Sequence, residues 1–310
     1  MKLRIILIVL SLLAFLSAST GGYLYYSSLK ESALKEAERQ ADQRLRTIKK
    51  NLSIFLAENV KPVKTLAGMQ TLQLALTRPN TENLAAANTT LDHFKQTLAA
   101  DVCYLMDSNG NTIASTNRDA PDSFVGQNFA FRPYFKDAIS GYPGTYLALG
   151  TTSGKRGAYY SHPVYAEDGY APVGIVVIKA SIELIESQLG TESDEIVLVN
   201  DPNGVIFISN RKDWLYHLLW ETNENNIPLI EQSLQFGTGP WKWTGLESRD
   251  DHILDRDGNS YQIQVVELGS NYPGWNVVHL RRLDAITQAV IEPLIKTTGP
   301  IVLALCVLIG

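Results

Sequence analysis

Hydrophobic positions along the chain fall into three regimes: an unbroken apolar run, a striped helical stretch and a series of short alternating strands. Residues Ile5 to Tyr25 form the apolar run, with Lys2 and Arg4 before it. About 20 apolar residues is enough to cross a bilayer as a helix, and leading positive charges place the N-terminus on the cytoplasmic side. A cleaved signal peptide, with Ser17 and Ser19 near the cut, is the alternative. The helical pattern continues past the run without a break, which favours a retained anchor. Residues Ile301 to Gly310 are apolar again, too few to cross alone. They read as the start of a second membrane helix, or as a buried terminal helix. The pattern therefore predicts a membrane helix at 1–26, the truncated start of another at 296–310, and an external domain of roughly 270 residues, long enough for two modules.

Leu34, Ala41, Leu45, Ile48, Leu52 and Phe55 recur at three- and four-residue steps, an apolar stripe on a long helix. Charges such as Lys35, Glu36, Arg39, Asp42 and Arg46 fill its other faces. The stripe packs on its own domain, or forms the seam of a parallel dimer continuing the membrane helix. Pro62 predicts a kink or interruption. Helical patterns resume through Leu66–Leu76 and Leu91–Leu98, so residues 27–99 read as helical.

Strands begin near Val102, and they repeat. Tyr104 to Ser115 matches Leu198 to Ser209 at an offset of 94, with Asp107, Asn109, Gly110 and Ser115 falling on Asp201, Asn203, Gly204 and Ser209. Each copy is an apolar strand, an Asp-x-Asn-Gly turn and a second strand. Asp and Asn bond their own backbone in such turns, and Gly supplies positive φ. Turn chemistry alone makes hairpins look alike, but both copies follow a helical stretch and precede further strands. That favours two related modules, at 100–190 and 191–295, joined by a short helix at Ser181–Leu189. Tyr261–Glu267 and Trp275–Leu280 alternate as antiparallel strands.

Composition narrows the function. A net charge of −5 over 310 residues is not that of a nucleic-acid-binding chain. Two cysteines, Cys103 and Cys306, form neither a disulfide framework nor a metal site. The five histidines are scattered, and Asp255–Gly258 lacks the further acidic ligands of a calcium loop. No metal or other cofactor is expected. Gly150–Lys155 has the wrong spacing for a phosphate loop, and Arg156 stands where Ser or Thr is needed. With strand patterns on both sides, Gly150–Gly157 reads as a β-hairpin turn. Hydrolase and metalloprotease motifs are absent, so no catalytic residue is assigned to this stretch of chain.

Two charges need partners. Tyr170–Ile182 has Val and Ile on both alternating faces, as in a strand buried on two sides. Lys179 is its one cation, on the face of Val173, Ile175 and Val177. It snorkels at the strand end, pairs with a carboxylate such as Glu183, or meets a ligand carboxylate. Arg132 lies between Phe131 and Tyr134, with Phe129 and Phe135 close by. It is a structural stacked arginine, or a fork presented to a carboxylate. Tyr134, Tyr146, Tyr159, Thr151, Thr152 and Ser161 are the candidate neutral donors. Charge-assisted hydrogen bonds of roughly 1.5–3 kcal/mol each, offset by ordering costs, suit binding of about −4 to −8 kcal/mol.

Asn128–Phe135, Ala148–Gly157, the strand ending in Lys179, and Asp213–Tyr216 resemble the periplasmic sensor region of DctB-type C4-dicarboxylate sensor histidine kinases. The resemblance spans essentially the whole external region and is most specific over 128–157. It implies an α+β fold: a long N-terminal helix, then two tandem PAS-like (double Cache) modules with antiparallel sheets, flanked by transmembrane helices. The first module would be membrane-distal and ligand-binding. Amino-acid-binding relatives are similar in an arginine-aromatic motif like Arg132-Pro133-Tyr134, but carry an aspartate where this chain has Lys179. The resemblance thus implies succinate, fumarate or malate. Arg132 and Tyr134 would hold one carboxylate, and Lys179 with hydroxyls near Thr151 and Thr152 the other. It further implies a homodimer in a bacterial inner membrane, a periplasmic sensor domain, and a kinase region in a longer parent chain that addresses a response regulator. A chemoreceptor or cyclic-dinucleotide enzyme with the same sensor fold is the alternative output. Ala158–His162 departs from the family pattern, which has a more aromatic run here.

Overall fold

The computed structural model describes residues 2–285 apart from 168, 188, 191–194, 223–225, 240 and 250–251, together with 288, 292–293 and 296. One helix, α1 (Lys2–Ala57), carries both the apolar run and the striped segment. Its length is about 84 Å at 1.5 Å per residue. It holds the one stretch among the described residues long and apolar enough to cross a membrane, with a mean hydropathy of 2.2. The second membrane helix expected at 296–310 lies outside the described residues, Lys296 excepted.

The break anticipated at Pro62 falls slightly earlier, at Glu58–Asn59. Pro62 then sits in the first turn of α2 (Val60–Ala67), where its missing N–H has no intrahelical partner to lose. The single helical stretch read at Leu66–Leu76 is split, because α2 ends before Gly68 and α3 (Gln70–Thr77) begins anew. Asn80 caps α4 (Thr81–Leu98) by accepting the Asn83 N–H at 2.8 Å.

Two antiparallel sheets follow. The first contains β1 (Val102–Asp107), β2 (Thr112–Ser115), β3 (Gly144–Leu149), β4 (Arg156–Tyr165) and β5 (Pro172–Ser181), in the order β2-β1-β5-β4-β3. The second contains β6 (Glu195–Asn200), β7 (Ile206–Ser209), β8 (Glu247–Arg249), β9 (His252–Leu254), β10 (Ser260–Glu267) and β11 (Asn276–Arg282), in the order β7-β6-β11-β10-β9-β8. Both share one plan: an opening hairpin, then the last strand laid beside the hairpin's first. The long hairpin read around Gly150–Gly157 is β3–β4.

The repeat extends to atomic detail. Tyr104 pairs with Ser115 and Leu198 with Ser209, and the register slips at Leu105/Met106 and again at Val199/Asn200. Asp107 accepts the backbone N–H groups of Asn109 and Asn111, and Asp201 those of Asn203 and Val205. Thr116 accepts the N–H of Cys103, as Asn210 accepts that of Val197. Every one of these pairs is related by the offset of 94. Asp255 builds the same turn a third time, accepting from Asp257 and Asn259.

The main core runs from the helices through one face of the first sheet into the second sheet. Ala37, Ala41, Leu45, Leu52 and Leu56 of α1 are buried, with β10 and β11 as strand neighbours of the helix. From Ala37 onward the stripe therefore serves the chain's own domain. Of the two readings of the stripe, these side chains follow packing on the chain's own core.

Short helix α6 (Glu183–Glu186) lies between the sheets, briefer than the Ser181–Leu189 segment expected. Its Glu186 is buried and accepts from Arg156 Nη2 at 2.6 Å, from the Ser209 N–H at 3.0 Å and from Lys212. Arg156 also donates to the Phe207 carbonyl at 2.7 Å. Burial pushes the Glu186 carboxyl up, but the bonds from Arg156, Lys212 and Ser209 outweigh it and hold the group below 4.5. This contribution is fully present above that value and is lost as pH falls through the folded value. Glu186→Ala leaves Arg156 buried without its carboxylate, so we expect a loss of about 3–5 kcal/mol at neutral pH. Urea unfolding of both proteins checks it; the gap should shrink as the pH falls below 4.5, and a constant gap refutes the linkage.

Candidate ligand-binding site

The register of the first sheet sets Tyr146, Tyr159, Lys179 and Val102 in one row across β3, β4, β5 and β1. The next row of that face holds Ser161, Val177 and Tyr104. Over this face packs α5 (Pro133–Ile139), whose start is set by Pro133 in its first turn. Arg132 is the residue just before it.

Lys179 is fully buried. Its Nζ donates to Asp101 Oδ2 at 2.7 Å and to Ser153 Oγ at 3.3 Å, and lies 6.0 Å from the Tyr159 ring centroid. The partner is thus Asp101, where the sequence suggested Glu183, which instead accepts from the Ser181 hydroxyl. Asp101 precedes β1, and its N–H donates to the Lys179 carbonyl at 2.8 Å. Only the pairing of β1 with β5 brings it there, so no sequence signal marked it. Room for the lysine stem comes from Gly157, where a Cβ would stand 2.7 Å from Lys179 Cε and 2.9 Å from its Cγ.

Arg132 is buried as well. Its guanidinium donates to the carbonyls of Leu149 at 2.8 Å and Leu234 at 3.1 Å, and packs 5.0 Å from the Phe131 ring centroid. Leu234 follows α7 (Ile227–Gln232) and takes a left-handed φ of 51°. The next residue, Gln235, accepts the Leu149 N–H at 2.8 Å and donates its side-chain amide to the Leu147 carbonyl at 2.7 Å. A segment far along the chain therefore lies against the edge of β3, and nothing in its sequence announced this.

Arg132, Tyr134, Thr151, Thr152 and Tyr159 line one small cavity, together with Tyr104, Phe124 and Phe129. Its volume is about 10 Å³, room for roughly one water. The Tyr134 and Tyr159 rings stack at 5.3 Å with 3° between planes. Tyr104 donates its hydroxyl to that of Tyr134 at 2.8 Å. Burial pushes the Tyr134 hydroxyl up to about 12 and raises those of Tyr104, Tyr159 and Tyr146. These phenols stay protonated at neutral pH, and Tyr134 and Tyr159, which line the cavity, can donate to an anion.

Three expected residues, Tyr146, Ser161 and Lys179, stand back from the cavity wall. The Tyr146 ring packs 6.3 Å from that of Tyr134. Ser161 is buried and donates to the Tyr134 carbonyl at 2.7 Å, fixing α5 to β4. Lys179 adjoins the cavity through Tyr159 without lining it, and its other contact, Ser153, follows the lining residue Thr152. A wider groove of about 570 Å³ runs along α1 by Gln40, Arg44 and Arg281. Its carboxylate, Glu195, already meets Arg44 at 2.7 Å and Arg281 at 3.8 Å.

A long helix leading into two PAS-like sheets, with a ring-lined cavity in the first, defines a sensory domain, and the chain matches the Cache domain family over residues 25–290. It belongs to that family, in the double Cache form. Two curated relatives are C4-dicarboxylate transport sensor proteins DctB. That of Pseudomonas aeruginosa is 40% identical over 153 residues, 49% of this chain and 24% of its own length. That of Rhizobium meliloti is 31% identical over 175 residues, 56% of this chain and 28% of its own length. The chain therefore spans about a quarter of the length of these relatives. Among solved structures, the sensor domain of the Vibrio cholerae histidine kinase DctB superposes with a TM-score of 0.73 at 26% identity, covering 80% of this chain and 98% of that one. The sensory domain of the Campylobacter jejuni chemoreceptor Tlp3 with bound isoleucine gives 0.57 at 13% identity, covering 83% and 97%. At that identity it shares the fold alone.

Gly157→Ala tests the packing of the lysine. The new methyl group would collide with a fully buried stem, so we expect a loss of about 1–3 kcal/mol. Thermal and urea unfolding measure it, and wild-type stability would show that the stem is free to shift.

Proposed function

We propose that this chain is the extracytoplasmic sensing region of a two-component sensor kinase and that it binds C4-dicarboxylates: succinate, fumarate or malate. Residues 100–190 would be the membrane-distal, ligand-binding module and 191–295 the membrane-proximal one. The observation that carries the reading is a pair of buried cations, Arg132 and Lys179, on one ring-lined side of the first sheet. One ligand carboxylate takes Arg132 and the Tyr134 hydroxyl. That hydroxyl accepts from Tyr104 and so keeps its own proton to donate. The other carboxylate takes Lys179, with the hydroxyls of Thr151 and Thr152 beside it. The names of the two curated relatives support the ligand class.

The cavity is too small for a diacid, and both cations hold internal acceptors. Ligand entry has to open the cavity and compete for those donors. One competing acceptor is the Leu234 carbonyl, which follows α7 and lies beside the second sheet's core through Phe236. A carboxylate on Arg132 thus bears directly on the second module. A ligand shifts the conformation only as far as it binds the two arrangements unequally. The shift would pass to α1, packed on β10 and β11, and so toward the membrane. A homodimer in the bacterial inner membrane, with the sensor in the periplasm and a kinase region addressing a response regulator, completes the proposal.

Calorimetry with succinate, malate, fumarate and an amino acid tests it. Diacid binding in the micromolar to millimolar range is expected, weakened at least about tenfold in Lys179→Met through loss of a charge-assisted bond. Binding of the amino acid alone would sink the proposal.

A further inference from the structure

We propose that Asp101 is a specificity-determining residue, a built-in carboxylate that pairs with Lys179 and must release it to the second carboxylate of a ligand. This inference rests on the dicarboxylate reading above. Lys179 has three N–H donors. One goes to Asp101 at 2.7 Å and one to Ser153 at 3.3 Å. Asp101 is the carboxylate paired with it, and Arg132 is held by neutral carbonyls.

The two partners are unequally free. The Lys179 side chain is fully buried, while that of Asp101 is 28% exposed. An ammonium in that position cannot leave without an uncompensated cost; the aspartate can turn to water. Its main chain stays fixed while it does so, because its N–H is bonded to the Lys179 carbonyl. Ser153, the other acceptor, sits in the β3–β4 turn with Thr151 and Thr152, so the exchange happens at the pocket's lip.

Ligand selectivity follows from this arrangement. A ligand with one carboxylate satisfies Arg132 and leaves the Asp101–Lys179 pair intact. A diacid has to exchange its second carboxylate for that of Asp101, and gains only the difference. A ligand bearing an amide at that end offers a weaker acceptor than the carboxylate it must displace. Asp101 therefore lowers affinity for diacids, leaves that for single acids nearly unchanged, and sets the concentration at which the sensor responds.

The test compares succinate with its monoamide, by calorimetry, on the wild-type chain and on Asp101→Asn. The variant is expected to bind succinate at least about tenfold more tightly, the scale of one charge-assisted bond. Its affinity for the monoamide should change less than about threefold. Succinate binding that is unchanged or weaker, or an equal rise for both ligands, overturns the role of Asp101 while leaving diacid binding in place. Failure of the wild-type chain to bind succinate, malate or fumarate refutes the functional reading itself, and this inference with it. If Asp101→Asn does not fold, a crystal structure of the wild-type chain with succinate decides. The Asp101 carboxylate turned away from Lys179 supports the inference; Asp101 Oδ2 still accepting from Lys179 Nζ overturns it.

Discussion

A buried ammonium without a counter-charge costs several kcal/mol, and that constraint organises the first module. Lys179 sits on β5, the central strand of its sheet, with β1 on one side and β4 on the other. Each neighbour answers it. β1 delivers Asp101 to the nitrogen, and β4 delivers Tyr159 beside it and Gly157 beneath its stem. The turn before β4 supplies Ser153. A residue that is out of place by the hydrophobic pattern of its strand is thus the point around which the candidate site is assembled.

The same turn is held at both ends from outside its own sheet. Before it, Leu149 is bonded to Gln235 through its N–H and to Arg132 through its carbonyl. After it, Arg156 is bonded to Glu186 and to the Phe207 carbonyl of β7. Thr151, Thr152 and Ser153 hang between these two anchors. Their position is therefore a property of the joined modules, and a rearrangement at either anchor moves the lip of the cavity.

Comparison of the two sheets shows how one scaffold came to carry different faces. Val102 pairs with Lys179 in the first sheet, and the equivalent Ile196 pairs with Leu280 in the second. Tyr104 is matched by Leu198. Where the first module has a cation and hydroxyls, the second has an aliphatic cluster around Ile196, Leu198, Val278 and Leu280. Turns, bulges and register are kept because the backbone needs them; the face is free to diverge because its side chains answer only to one another.

Much of this was open to reading along the chain. The apolar run, the striped helix and the Asp-x-Asn-Gly turns each follow from local physics: length against bilayer thickness, a 3.6-residue period, and a carboxylate bonding its own backbone. Arg132 and Lys179 stood out because a charge amid apolar neighbours is expensive wherever the chain folds. The sequence by itself thus determined the element types, the repeat and the two charges in need of partners. Which partners they found was decided by tertiary structure. Asp101 reaches Lys179 through strand register, the Leu234 carbonyl reaches Arg132 from a hundred residues away, and Ser161 is turned inward to hold a helix. Such pairings depend on which strands lie side by side and which backbone groups are left over at their edges. No local pattern encodes either.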